Sequence, residues 1–292
     1  MFGGYYRVDV DDNLSILAVN TLYLNKKNND TWGQSTEGSA QITWMREQLT
    51  AGRAQGRKFL VTTHIYPGAK FDLKSKNLFT PDYNEAYFSI LRDFRDVIVL
   101  ESCAHDHYAD VRYHSSGDTA SQKYFFHNLL VSPGVTPIDG SNPGFAVYEL
   151  DAKTLSPHNL VLHYLPLEQT YGWKSIPTDV TTIPFRRFQF SDYGLTDFSP
   201  NSLSAFQNAL KADDNLTYRY LVGKVGFNPD DSNEFEKAMS LYIDDLGIIT
   251  ASKRKTYKFI CQMHLSKDKD ELDQCILDNK AIQEPATFLN LE

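Results

Sequence analysis

Three histidines stand directly after predicted strands, where their side chains can converge on a metal ion. His64 follows the apolar, β-branched run 58–63, and His105 and His107 follow the strand predicted over 96–103. In open α/β sheets, catalytic groups gather in the loops at the carboxyl ends of strands. Because neutral imidazole binds Zn²⁺ and similar ions, a His-x-His pair can close on one ion or serve two adjacent ions. These three histidines are therefore the candidate metal ligands.

The other polar side chains near these positions have simpler roles available. Asp106 and Asp110 are expected to orient the histidines or to remain solvated charges, rather than to bind a metal. Cys103 is expected to be a small buried hydrophobe at a strand end. The remaining histidines are expected to be packed or exposed without a chemical role; they are His114, His127, His158, His163 and His264.

Hydrophobic periodicity predicts the elements that would position the three histidines. Residues 7–20 are expected to form one or two strands, and residues 81–95 a helix. Ser39 is expected to cap another helix, which ends with Gly52 just beyond its last turn. Two βα units followed by a run of strands indicate a layered α/β or α+β domain. The later strands are predicted over 111–114, 124–131, 144–150 and 159–165.

Beyond about residue 167 the pattern becomes helical. Ser199-Pro200 begins one helix, and Asp231 with Glu234 forms a possible capping box for another. Two more helices are predicted over 257–265 and 267–277. We therefore predict two units, residues 1–166 and a helical appendage over residues 167–292.

Composition excludes several classes of protein. The 292 residues are 41% hydrophobic and 13% aromatic, as in water-soluble globular proteins and unlike disordered chains. The net charge of −8 provides no basic field for a phosphate backbone, so nucleic acid is not an expected partner. No apolar run approaches the roughly 18 residues that span a bilayer, so no transmembrane segment is expected.

Signals of the cellular compartment disagree. The first six residues show neither the charged nor the apolar region of a signal peptide, which taken alone indicates the cytosol. In contrast, Asn13, Asn29 and Asn215 each begin an Asn-x-Ser/Thr acceptor triplet for glycosylation. Cys261 and Cys275 would suit a disulfide between two short helices, and at this point two free thiols are an equal alternative.

Four strings along the chain form a specific set. They are Phe-Leu-Val-Thr-Thr-His-Ile-Tyr-Pro-Gly at 59–68, Cys-Ala-His-Asp-His at 103–107, Val-Ser-Pro-Gly-Val-Thr-Pro at 131–137 and Asn-Pro-Gly at 142–144. In order and spacing the set resembles the calcineurin-like metallophosphoesterases, and more narrowly the acid sphingomyelinases and acid sphingomyelinase-like phosphodiesterases. The segment 260–275 is similar to the C-terminal segment of that family, which carries paired cysteines.

The resemblance implies the C-terminal half of a metallophosphoesterase sandwich joined to a helical C-terminal domain. It implies that His64 and His105 bind one Zn²⁺ and that His107 binds a second. Two such ions polarise a phosphoryl group and lower the pKa of a bridging water. The resemblance also implies a Cys261–Cys275 disulfide, a secreted or lysosomal location, and a small phosphodiester or sphingolipid-type substrate.

The chain departs from the family pattern in two places. Ala104 stands where the family has a glycine, which matters if that position needs a positive φ. No set of Asp-x-His, Gly-Asp and Gly-Asn-His motifs, the last of which carries the catalytic histidine, occurs in the 292 residues, and the set is expected upstream. Without the bridging carboxylate, three histidines cannot hold two ions at ~3.5–4 Å from each other.

Three hypotheses follow from these departures. The first is a phosphodiester hydrolase fragment that lacks half of its di-zinc site and has the missing N-terminal half as a partner. The second is a non-catalytic secreted relic or binding protein that holds at most one zinc. The third is an unrelated mononuclear zinc enzyme, which the match along the whole chain disfavours.

Overall fold

Nine strands and five α-helices occupy the residues that the computed structural model describes, which are 3–70, 77–116, 125–137, 140–167, 185–240 and 274–275. The strands are β1 Tyr6–Asp9, β2 Leu14–Ala18, β3 Lys58–Thr62, β4 Ile98–Cys103, β5 Asp110–Ser116, β6 Phe125–Val131, β7 Gly144–Leu150, β8 Pro157–Tyr164 and β9 Arg186–Gln189. The helices are α1 Thr31–Ala54, α2 Pro81–Asp93, α3 Pro200–Ala212, α4 Asp214–Lys224 and α5 Ser232–Ser240.

Six strands form one sheet in the order β1-β2-β3-β4-β6-β5. The central strands β2, β3, β4 and β6 are parallel, while β1 and β5 pair antiparallel at the two sides. Parallel strands that are neighbours in a sheet end at the same edge, so the loops after β3, β4 and β6 lie together. At this edge the predicted metal ligands follow their strands, His64 after β3 and His105 and His107 after β4.

Alternating side chains place a separate core on each face of this sheet. Phe59 and Val61 of β3 face a core that includes Met45 of α1 and Leu91 of α2. The opposite core contains residues of the second sheet, which has the order β7-β8-β9, together with residues of α3 and α4. The layered α/β architecture predicted from the sequence is confirmed. Within the part of the chain described here, no helix is both long and apolar enough to cross a bilayer.

The second sheet crosses the predicted unit boundary near residue 167. Strand β9 lies beyond that boundary, yet it pairs antiparallel with β8, with Phe188 opposite Leu162. The division into residues 1–166 and 167–292 stays a prediction. The helices predicted over 257–265 and 267–277 lie outside the described residues, apart from the helical pair Gln274 and Cys275.

Helix α1 begins earlier and ends later than the sequence predicted. Its N-cap is Asp30, whose carboxylate accepts a hydrogen bond from the Gly33 amide at 2.9 Å, so the predicted cap Ser39 was wrong. Gly52 lies inside the helix rather than after it. A Cβ on Gly52 would lie 2.2 Å from the Phe59 ring, so this glycine permits close packing of α1 on β3. The left-handed residue beyond the helix is Gly56, with φ +72°.

Candidate metal centre

His64 and His105 meet at the carboxyl edge of the six-stranded sheet. Their strands β3 and β4 are parallel neighbours, and the Ala104 amide donates a hydrogen bond to the His64 carbonyl at 3.0 Å. The two imidazole rings lie 5.4 Å apart between centroids and are nearly perpendicular, at 79°. His64 is exposed and His105 is half-buried, so this ring pair is accessible from solvent.

The His-x-His loop has an unusual backbone. His105 has φ +82° and His107 has φ +64°, a region that residues other than glycine seldom occupy. Ala104, in contrast, is not among the residues with positive φ. The alanine at the family's glycine position therefore does not strain this loop. Left-handed non-glycine residues cluster at functional sites, where the surrounding structure holds the strain.

Two contacts fix the backbone of His107, which is half-buried. Its carbonyl accepts hydrogen bonds from the Gly134 amide at 2.9 Å and from the Ser141 hydroxyl at 3.0 Å. A Cβ on Gly134 would lie 3.1 Å from the Cβ of His107, so a side chain there would press on the loop. The Pro-Gly string after β6 thus allows that loop to approach His107 closely.

The residue between the two histidines points into the protein. Asp106 is buried, and its Oδ2 accepts hydrogen bonds from the Tyr66 hydroxyl at 2.6 Å and from Arg112 Nη2 at 3.0 Å. Arg112 also donates from Nε to Asp110 Oδ2 at 3.3 Å. Both aspartates are buried, so neither is a solvated charge, and Asp106 anchors the loop, while the orienting role expected for the two aspartates stays a prediction.

Arg112 and Lys224 are buried charges that the sequence did not single out. Burial opposes the charge on Arg112, but Tyr66, Asp106 and Asp110 outweigh it, so the pKa of the guanidinium is raised. Burial lowers the pKa of Lys224 to about 8, although Asp110 acts in the opposite direction. The sequence signal that could have found them is a lone charge within an apolar run, Val-Arg-Tyr at 111–113 and Leu-Val-Gly-Lys-Val at 221–225.

Burial lowers the pKa of His105, and this effect exceeds the opposing influence of Asp106. His105 therefore remains neutral to a lower pH than a solvated histidine, and neutral imidazole is the form that binds metals. Cys103 lies nearby at the end of β4. It is buried and free, and burial raises the pKa of its thiol well above the usual value, which agrees with the expected packing role.

The donor set suits zinc in type, because imidazole is a preferred zinc ligand and all three histidines follow strands that end at one edge of the sheet. The described residues nevertheless gather no three His, Cys, Asp or Glu side chains into a group that could hold a metal ion. The structure thus brings His64 and His105 into ring contact and fixes His107 on the same loop as His105. These donors fit part of a metal site.

A cavity lies elsewhere in the described part of the protein. It has a volume of about 580 Å³ and is lined by residues such as Lys58 and Ile98 at the starts of β3 and β4, with His127 and His158 also in its wall. That is the end of the sheet opposite the three predicted ligands. Neighbouring Glu101 accepts a hydrogen bond from the Tyr87 hydroxyl at 2.8 Å and contacts His127 Nε2 at 3.0 Å, so His127 has the packed role expected for it.

The chain is similar to acid sphingomyelinases and related phosphodiesterases. It is 21% identical over 164 residues to "Sphingomyelinase phosphodiesterase D" of Dictyostelium discoideum, a match that covers 56% of this chain and 37% of that protein. It is 24% identical over 236 residues to "Acid sphingomyelinase-like phosphodiesterase 3b" of Mus musculus, covering 73% and 47%. With "Sphingomyelin phosphodiesterase 2" of Caenorhabditis elegans it shares 23% over 220 residues, covering 74% and 34%.

These relatives confirm the resemblance that the histidine and Pro-Gly strings indicate. The chain spans between about a third and a half of the length of these three relatives. No family model matches the chain. A solved structure titled "Structure of PhoD" matches 63% of this chain and 40% of that chain, with a TM-score of 0.39 and 11% identity.

Proposed function

We propose that this chain forms part of a metal-dependent phosphodiester hydrolase of the acid sphingomyelinase-like type, with His64, His105 and His107 as ligands of zinc. The observation that carries the proposal is the meeting of His64 and His105 at the carboxyl edge of the sheet, with ring centroids 5.4 Å apart. The names of the relatives support the reaction class, since sphingomyelin is a phosphodiester.

Zinc bound here would supply a Lewis acid for the phosphoryl oxygen and would lower the pKa of a bound water. The chain's own residues make that binding possible. Burial lowers the pKa of His105 and so favours the neutral imidazole that binds metals. Asp106, Gly134 and Ser141 hold the backbone that presents His105 and His107. An acidic protein could bind a phosphodiester in this way, because the metal provides the local positive charge.

The proposal includes a partial site, with two zinc ions bound only when further ligands join these three histidines. The support is that the described residues gather no group of three potential ligands. The same observation favours one alternative, a binding protein that holds at most one zinc. The two differ in what completes the site: the hydrolase requires the family's missing carboxylate and histidine motifs from a partner segment, and the binding protein requires none.

A secreted or lysosomal location and a sphingolipid-type or other small phosphodiester substrate belong to the same proposal. The three glycosylation candidates support it, because Asn13, Asn29 and Asn215 are all exposed. Cys275 is disulfide-bonded. Cys261 lies outside the described residues, so the predicted Cys261–Cys275 pair stays a prediction.

Calorimetric titration of the metal-free chain with Zn²⁺ tests the metal proposal. We expect His64→Ala and His105→Ala each to weaken the tightest binding at least about 10-fold, because each removes a ligand. His158→Ala is the matched control, since His158 is exposed and lies at the start of β8. Absence of zinc binding, or equal weakening by His158→Ala, would contradict the proposal.

Hydrolysis of bis(4-nitrophenyl) phosphate tests the partial-site claim. The chain alone with added Zn²⁺ is expected to show negligible turnover, because the ligand set is incomplete. Turnover that disappears in His107→Ala would show that the chain holds a working site, and the partial-site claim would then be wrong.

A further inference from the structure

The C-terminal end of α4 lies against the loops that frame the histidines. The Ala109 amide donates to the Lys224 carbonyl at 3.0 Å, and the Asn142 amide donates to the Val225 carbonyl at 3.1 Å. The Asn142 side chain donates to the Gly226 carbonyl at 2.8 Å. Carbonyl groups at a helix end lack partners within the helix, so these bonds satisfy them and also fix α4 to the loops after β4 and β6.

The side chain of Lys224 enters the interior at this point. Its Nζ lies 3.0 Å from Asp110 Oδ1, and the two side chains are 0% and 1% exposed. The ammonium also lies 5.2 Å from the ring centroid of Tyr108 and 5.9 Å from that of Tyr220. Asp110 is the first residue of β5 and closes the loop that begins with His105.

The ion pair continues to the residue between the two histidines. Asp110 Oδ2 lies 3.3 Å from Arg112 Nε, and Arg112 Nη2 lies 3.0 Å from Asp106 Oδ2. Four buried charges therefore run in series from the end of α4 to the centre of the His-x-His loop. A buried charge that loses its partner costs free energy, so the Lys224–Asp110 pair ties α4 to β5 and the Arg112–Asp106 pair ties β5 to the loop.

We infer that Lys224 is a positioning residue that, through Asp110, Arg112 and Asp106, holds the His105–His107 loop in its left-handed conformation for metal binding. The inference rests on the proposed function for its metal-binding part. A buried ion group of this kind can often be replaced by apolar side chains without loss of stability, so stability alone does not explain its presence. The need to hold a strained loop in one conformation does explain the ion group, because backbone strain persists only where the surrounding structure fixes it.

Two readouts on the full-length chain test this inference. The first is amide hydrogen exchange of Gly134 in the metal-free protein, because that amide bonds to the His107 carbonyl and so reports the loop. The second is Zn²⁺ affinity by competition with a chromophoric chelator. We expect Lys224→Met to speed Gly134 exchange at least tenfold relative to amides of β3, and to weaken zinc binding about 10- to 100-fold.

Lys211→Met is the matched control, since Lys211 is a half-buried lysine on the neighbouring helix α3. It is expected to change neither readout. If Lys224→Met fails to fold, the double variant Lys224→Met/Asp110→Asn removes both charges of the pair and is judged by the same readouts.

If the Gly134 amide of a folded variant exchanges at a rate within twofold of the wild-type rate, the inference is overturned, whatever the zinc affinity. If Gly134 exchanges faster in the variant but the wild type binds no zinc, the loop-positioning role is upheld. The proposed function is then contradicted. Faster exchange together with weaker zinc binding supports both.

Discussion

His105 and His107 adopt a backbone conformation that costs non-glycine residues on the order of 1–3 kcal/mol each. Four hydrogen bonds oppose that strain: Asp106 accepts from Tyr66 and Arg112, and the His107 carbonyl accepts from Gly134 and Ser141. The rigidity of the loop therefore comes from its neighbours. These hydrogen bonds therefore fix the backbone from which both imidazoles extend.

At the same scale, the protonation of His105 is a testable property. Because burial lowers its pKa from 6.5, the unfolded chain binds more protons at this residue than the folded chain does just below that value. This group alone makes the metal-free protein more stable as the pH rises through the window between its lowered pKa and 6.5. NMR titration of the His105 ring should give a midpoint below 6.5, and a midpoint above 6.5 would contradict the assigned burial effect.

At the scale of elements, two parallel strands bring His64 and His105 to the same edge of the sheet. β3 and β4 are neighbours, and the Ala104–His64 backbone bond joins their ends, so two residues far apart in sequence reach one edge. The apolar, β-branched runs made these strands predictable from the sequence, and apolar residues at helical spacing made α2 predictable. The start of α1 was missed because its cap, Asp30, lies in a stretch rich in turn-forming residues that masks the helical pattern.

Other features carry too weak a sequence pattern to be predicted. Strand β9 has four residues, two of which are arginines, so neither length nor alternation indicated it. Lys224 meets Asp110 only through tertiary packing, since helical spacing says nothing about contacts with a strand more than a hundred residues earlier. The three histidines were predictable because strand ends can be read locally. The ion group behind them was not, because its partners come from β5 and from α4.

Gly52 offers a direct check on the packing of α1 against β3. Gly52→Ala should favour the helix by about 1 kcal/mol through propensity. The new Cβ would, however, lie 2.2 Å from the Phe59 ring, and such overpacking costs about 1–3 kcal/mol. We expect a net loss of free energy of unfolding, measured by urea denaturation. Thr50→Ala, at an exposed position of the same helix, serves as control, and a more stable Gly52→Ala protein would contradict the packing.

At the scale of the whole molecule, one core joins the six-stranded sheet to the helices beyond residue 185. Leu100 and Leu130 of the first sheet share that core with Leu203 and Phe206 of α3. The histidine-bearing edge and the helical segment should therefore unfold together, although the sequence suggested two units. Such coupling also gives α4 a fixed platform from which Lys224 can act.

Leu203→Ala tests this coupling. Leu203 is fully buried, so its truncation should cost about 2–5 kcal/mol of unfolding free energy. Hydrogen exchange should then lose protection in β6 as well as in α3, because the two elements share one core. Leu22→Ala is the matched control, since Leu22 is 54% exposed. Loss of protection confined to the helices, with β6 unchanged, would show that the helical segment unfolds independently.

The central claim is that the carboxyl edge of the six-stranded sheet binds zinc through its histidines. The most direct measurement is anomalous X-ray scattering at the zinc edge from crystals of this chain grown with Zn²⁺. We expect an anomalous peak at roughly 2.0–2.1 Å from an imidazole nitrogen of His64 and of His105. Ordered crystals with zinc bound at other positions, such as beside Glu101 and His127, and none at His64 and His105 would contradict it.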